Sequence, residues 1–283
     1  MTRAEPIGHV AALWRYPVKS MAGEELDSCE VTPQGLLGDR GYALVDESAG
    51  VVASAKNPRA WPDLLAYRAA YTAPPRRGEG LPPVRITLPD GREIGSEDRV
   101  AGALSATFGR PVVLSARPPD RPVLQQFWPD LDGTGVGETV TDEEMRAGTF
   151  FDLALVNLLL TTTLARLSEA YPGGQFGVTR FRPNVVVRPL PTGGDDPEPV
   201  WVGRTLAVGD AVRVRVVARC TRCVMTTLAQ PDLPRDAGIL RAVVRVNAGC
   251  AGLNGSVART GVIRVGDPLW FEDANALGLD DDS

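Results

Sequence analysis

The chain holds a single histidine, His9, among 283 residues. That count bears on more chemistry than any other. A zinc-protease helix needs two histidines at helical spacing, and a Ser-His-Asp or Cys-His engine would rest on His9 alone, in a sequence with no Gly-x-Ser-x-Gly elbow. Nucleophilic hydrolysis is therefore not the expected activity. Cysteine is also scarce: Cys29, Cys220, Cys223 and Cys250 are too few and too dispersed for a secreted disulfide scaffold, so reduced thiols are expected. Positive charge is not in excess. The formal net charge of -5 argues against nucleic acid as the main partner. No apolar run is long enough to span a bilayer, and Met1 to His9 lack the apolar core of a signal peptide, so no membrane partner is expected and the cytoplasm is the expected location. Aromatic residues make up only 6%, and Trp14, Trp61, Trp128, Trp201 and Trp270 are scattered, which reads as packing rather than a binding platform.

What is present is a globular composition, 43% hydrophobic, sufficient for a large core. Short apolar runs between turn residues recur and predict strands. Val84 to Leu88, the turn Pro89-Asp90-Gly91-Arg92, and Glu93-Ile94 read as a hairpin, because Asp-Gly supplies the positive φ such turns need. A second hairpin is expected across Val208 to Ala211. A third joins Val262 to Val265 with Leu269 to Glu272 about Gly266-Asp267-Pro268, and Val224 to Thr227 is expected to be extended. Helices are fewer. One is expected with Asp98 as cap and Val100, Leu104 and Phe108 recurring every four residues. A short one runs from Thr141 through Met145 on a Thr141/Glu144 capping box, and Val156 to Leu167 forms the strongest helical or buried stretch. The proline-rich segment Ala116 to Pro122 divides residues 1–118 from 119–272, ahead of an acidic tail at 273–283.

The densest chemistry lies beyond the alternating run Ala211 to Val216, a half-buried strand whose end carries Cys220 and Cys223. A Cys-x-x-Cys pair is half of a zinc site or a redox dithiol. No second Cys-x-x-Cys or histidine pair completes the zinc set, and the dithiol motif opens a helix in a βαβ setting that this region lacks. A third reading makes one thiolate the ligand of a soft metal.

Three separated segments bear on that choice. Tyr16-Pro17-Val18-Lys19-Ser20 and Gly35-Leu36-Leu37-Gly38-Asp39-Arg40-Gly41-Tyr42 resemble the N-terminal β-barrel domain that precedes MOSC domains, the molybdenum cofactor sulfurase C-terminal type. Phe181-Arg182-Pro183-Asn184-Val185-Val186-Val187, Arg222-Cys223-Val224-Met225-Thr226-Thr227 and Gly261-Val262-Ile263-Arg264-Val265-Gly266-Asp267 resemble the MOSC domain itself. The resemblance covers nearly the whole chain in order. It implies a mainly β fold with some helices (α+β): an N-terminal β-barrel-like domain over 1–118, then a MOSC β-barrel over 119–272, with a cofactor in the crevice between them. It also implies a molybdenum-pterin (molybdopterin) cofactor, with Cys223 as metal ligand and catalytic centre and with Lys19, Ser20, Arg40, Arg182 and Asn184 as cofactor-binding residues.

The implied donor set makes chemical sense. A dithiolene metal centre with an anionic phosphate asks for a thiolate and fixed cations; Arg182 offers a planar fork, and the Asn184 amide both donates and accepts. The implied activity is reduction of N-hydroxylated or related N-O/S-O small-molecule substrates. Electrons would come from a separate donor of ferredoxin, flavodoxin or cytochrome type, since no Cys-x4-Cys-x2-Cys run follows Glu272. The alternative is a sulfur-carrier or cofactor-delivery protein using a Cys223 persulfide. No role is assigned to Cys220. Where relatives carry an aspartate near Ala229, the nearest acid here is Asp232.

Overall fold

The computed structural model describes residues 5–95, 97–128, 138–191 and 197–272, with the side chains of 97–99 outside the description. At its centre is a barrel of seven strands: β1 (Gly8–Arg15), β2 (Val156–Leu160), β3 (Val185–Pro189), β4 (Thr205–Val208), β5 (Val212–Thr221), β6 (Cys250–Arg259) and β7 (Pro268–Glu272). They pair in the order β3-β2-β6-β5-β4-β7-β1, and β1 closes the ring on β3. Closure leaves no open edge among these strands. The β2/β3 pair is parallel and the others antiparallel. The fold is mainly β with few helices, as the resemblance implied.

The register follows the alternation of the sequence. Along β5, Val212, Val214 and Val216 are buried while Arg215 and Val217 face out. Val10 opposes Val187, Leu158 opposes Leu253, and Leu206 opposes Val214, so branched residues from neighbouring strands fill the interior. Each such side chain contributes about 1.5 to 3 kcal/mol of burial. Arg213 breaks the alternation yet is buried, because its guanidinium bonds Glu272 Oε2 at 2.7 Å and the carbonyl of Val212 at 3.0 Å.

A second core gathers Val18, Met21, Tyr42, Trp61, Ile86, Leu104 and neighbours under short strands and the helix Glu97–Phe108. Trp61 meets Phe108 edge-on at 5.4 Å. The hairpin of Val84–Thr87 and Glu93–Ile94 forms as expected, with Gly91 at φ +84°. The chain passes from the barrel core at Leu13 to the second core at Val18 within a few residues, and Ser28–Thr32 returns to pair with Gly261–Arg264.

Several local expectations give way to long-range pairing. Thr139–Glu144 is a strand against Val123–Trp128, so the Thr141/Glu144 pattern caps no helix. Val156 to Leu167 divides into β2 and the helix Thr161–Ala170. Val224–Thr227 is a 3-10 turn, not extended, and its Thr226 and Thr227 hydroxyls donate to the carbonyls of Cys223 and Val224. Gly261–Arg264 pairs with Ser28–Thr32 while β7 enters the barrel, so the third hairpin is a turn between two sheets. The helix over Glu97–Phe108 begins before Asp98, which lies in its first turn. The acidic tail falls outside the described residues.

Candidate functional site

β5 delivers the chain to the mouth of the barrel, and Cys223 follows two residues after its end. The flanking arginines lock this turn. Arg222 donates to the carbonyls of Ala251 at 2.7 Å and Phe181 at 2.7 Å and to Asn157 Oδ1 at 3.2 Å. Buried Arg180 donates to the carbonyls of Gln175, Thr226, Leu228 and Pro234. Gly252 lets β6 approach: at φ +83°, a Cβ there would sit 2.4 Å from the Leu158 carbonyl oxygen. Cys223 thus rests on a rigid frame, the condition for a precise ligand.

The thiol opens into a cleft lined by cations, among them Lys19, Lys56, Arg40 and Arg182, and by one carboxylate, Asp152. Lys19, Ser20, Arg40, Arg182 and Asn184 all line it, so the structure brings every expected site residue together with Cys223. Three of them hold left-handed backbone: Ser20 at φ 62°, Arg40 at φ 48° and Arg182 at φ 49°. Strain of this kind concentrates at functional positions. Tyr16, itself buried, lies against both guanidiniums, with Arg40 Cζ 4.6 Å from its ring centroid and Arg182 Cζ 4.2 Å. Burial, reinforced by repulsion from Arg40, lowers the Arg182 pKa to about 10. An anion between them would relieve that repulsion.

Lys19 donates to the Phe150 carbonyl at 3.1 Å and pairs with Asp152, which also holds Lys56 at 2.8 Å. Burial brings Lys19 down to about 8 despite Asp152. Burial would also lower Lys56, but Asp152 and Cys223 outweigh it and hold it above its ordinary value. The Cys223 thiol is pushed up by burial, with Lys56 the largest opposing influence.

Asn184 is 2% exposed, and its amide is taken by the protein. It donates to Asp39 Oδ2 at 2.8 Å and accepts from the Asn157 backbone N-H at 3.0 Å. Asp39, which also accepts from the Tyr16 N-H and pairs with Arg40, is a buried junction that ties β1 to β3. Asp232 does not line the cleft; it is exposed and bonded to Arg68 at 3.0 Å. The acid at the site is Asp152. Cys220 lines the cleft on the strand before Cys223. Among the described residues no three His, Cys, Asp or Glu side chains converge as a metal cage.

Residues 150–270 match the MOSC domain and residues 7–96 the MOSC N-terminal beta barrel domain. The chain belongs to the MOSC-domain proteins. This MOSC protein is 27% identical over 296 residues to mitochondrial amidoxime-reducing component 1 of Mus musculus, covering 95% of the chain and 84% of that protein. It is 28% identical over 245 residues to the Homo sapiens protein of the same name, covering 81% and 68%. Against mitochondrial amidoxime reducing component 2 of Bos taurus the identity is 24% over 300 residues, covering 95% and 84%. Among solved structures, the YUAD protein from Bacillus subtilis aligns with a TM-score of 0.46 at 13% identity, over 93% of each chain.

Lys56, Asp152, Asp39 and Arg180 are the site residues of this MOSC protein that sequence reading missed. Only Asp39 had a signal, as the acid inside Gly38-Asp39-Arg40. The donor set fits an anionic, sulfur-bearing metal cofactor: one thiol on a locked turn shares a cleft with Lys19, Lys56, Arg40 and Arg182, four cations against the carboxylates of Asp152 and Asp39.

Proposed function

We propose that this chain is a molybdenum-cofactor oxidoreductase that reduces N-hydroxylated or related N-O/S-O compounds, with Cys223 as the protein ligand to the metal. The observation that carries the reading is that the Cys223 thiol lines one cleft with the buried Lys19 and the half-buried Arg40 and Arg182. When bound, a molybdenum-pterin cofactor supplies the two-electron reduction of the substrate. Arg40 and Arg182 would take its anionic group with paired N-H donors, and Lys19 would add a third charge once shared with Asp152. Ser20 would offer its hydroxyl from the strained turn, while Asn184 would hold Asp39 and therefore Arg40 in place. Lys56 would favour the thiolate of Cys223 against the burial that raises the thiol.

The names of the relatives support an amidoxime-reducing activity, and the four free thiols support a reducing compartment, for which the cytoplasm is our proposal. Among the described residues no helix is long and apolar enough to cross a membrane. A separate ferredoxin, flavodoxin-like or cytochrome-type protein would supply electrons. Elemental analysis of protein purified without air should find about one molybdenum per chain, in keeping with a single thiol ligand. Cys223→Ala should lose metal and amidoxime turnover while its thermal midpoint stays near that of the parent. If that variant keeps molybdenum and turns over amidoximes normally, the ligand assignment is wrong.

A further inference from the structure

Cys223 borders a second cleft, which Arg40 and Arg182 do not line. Its wall is the two-stranded ribbon Val123–Trp128 and Thr139–Glu144. Alternation along the ribbon puts Leu124, Gln126 and Trp128 on one face, and cross-strand pairing adds Thr141 and Glu143 to it. A chain of hydrogen bonds fixes that face: Trp128 Nε1 donates to Thr141 Oγ1 at 2.9 Å, and the Thr141 hydroxyl donates to Glu143 Oε1 at 2.7 Å. Trp128 was expected to be a packing residue; it is 45% exposed, and it lines this cleft.

Two facts point to a ligand here. Gln126 is only 6% exposed and lines the cleft, yet its side-chain amide makes no hydrogen bond among the described residues. The amide, held in place by a side chain that is otherwise buried, keeps its donors and acceptor for a group that arrives from the cleft. Carboxylates also outnumber cations along the lining. Glu143, Glu144 and Asp152 face Lys56 and Arg222, and Lys56 is held by Asp152 at 2.8 Å. Glu143 acts on Lys56 from farther off, and neither Glu143 nor Glu144 forms an ion pair at contact distance among the described residues, which leaves the ribbon side of the cleft acidic.

We infer that this ribbon face is the selectivity site for the organic body of the substrate, with Glu143 and Gln126 favouring small aromatic substrates that carry a cationic group and disfavouring anionic ones. The inference rests on the reading of Cys223 as the reaction centre, since it assigns the neighbouring cleft to the substrate. Trp128 and Leu124 would receive the apolar part. The Glu143 oxygen not held by Thr141 would meet the cation, and Gln126 would bond a polar group nearer the sulfur. Asp142, on the opposite face of the same strand and bonded to Gln125, takes no part.

The test uses molybdenum-loaded full-length protein, a reduced viologen as electron source, and three aromatic amidoximes that differ only in a trimethylammonium, methyl or carboxylate substituent. For the parent protein, kcat/KM should rank cation, neutral, anion, with about fivefold between neighbours, the size of an ion pair still reached by water. Glu143→Gln should collapse the ranking mainly through KM, and Glu143→Lys should reverse it. Asp142→Asn should leave it as in the parent. A parallel titration of cofactor-free protein with benzamidinium and benzoate should show the same Glu143-dependent preference. If metal and turnover are intact but neither Glu143 variant alters the ranking, the selectivity site is refuted while the metal assignment survives. If the protein takes up no molybdenum but benzamidinium still binds in a Glu143-dependent way, the cleft assignment stands and the metal reading fails.

Discussion

Tyr16 shows how a buried aromatic can serve two charges. Its ring lies against both site guanidiniums, while its hydroxyl has no hydrogen-bond partner among the described residues. The two halves of the side chain therefore make opposite predictions. Tyr16→Phe keeps the ring and removes an unsatisfied buried group, so stability should be unchanged or higher by up to about 1 kcal/mol, read from urea midpoints. Tyr16→Leu removes the cation-π contacts, each worth about 0.5 to 2 kcal/mol, and should lower cofactor retention after gel filtration. Asp152 carries a pH dependence. Burial alone would raise its carboxyl, but Lys19 and Lys56 hold it below the ordinary 3.8. Its contribution to stability is therefore complete above about pH 4, where the unfolded carboxyl is also ionised, and fades as pH falls toward the lower folded value. Asp152→Asn strands two lysines, should cost about 3 kcal/mol at neutral pH, and should flatten the acid limb of a stability-pH curve.

At the scale of elements, the backbone conformation at a few junctions decides what each position tolerates. The helix Gly238–Asn247 ends on Ala248, an exposed residue at φ 51°. Ala248→Gly should therefore raise stability by about 1 kcal/mol, measured as a higher thermal midpoint. Gly252 in β6 is the opposite case. An alanine there would meet the Leu158 carbonyl at 2.4 Å and crowd Arg222, so Gly252→Ala should destabilise by at least about 2 kcal/mol and loosen the Cys223 turn, visible as faster alkylation of the thiol.

For the molecule as a whole, β1 is the shared member. It closes the barrel on β3, and its continuation Tyr16 to Met21 enters the second core. Truncating Leu13, fully buried in β1, should cost about 2 to 5 kcal/mol. Single-tryptophan versions reporting from Trp61 and Trp201 should lose both cores of Leu13→Ala at the same urea concentration; separate transitions would show that the cores are independent. The same connectivity explains what was legible in the sequence. Arg182, Cys223 and Lys19 stand in short motifs whose residue types announce their chemistry, and the alternation along β5 announces its buried face. Lys56 and Asp152 stand in no pattern; their pairing exists only because the loop before Trp61 and the one before β2 meet over the cleft. Thr141 and Glu144 carried a helix signal that pairing with Val123–Trp128 overrides, because a local cap is worth less than a six-residue ladder. Val224 to Thr227 turns because the hydroxyls of Thr226 and Thr227 reach back to the preceding carbonyls, a choice invisible in the residue types alone.

The left-handed backbone at Ser20, Arg40 and Arg182 has a practical corollary for engineering. Glycine adopts that conformation without penalty, so wherever this relief exceeds the bonds that Ser20, Arg40 or Arg182 makes to Ala55, Asp39 or Met21, a search for heat resistance run on cofactor-free protein would favour glycine there. Every winner would be a sturdier shell that has discarded its grip on the prosthetic group. Selection for robustness in this protein therefore has to be carried out with the holo form.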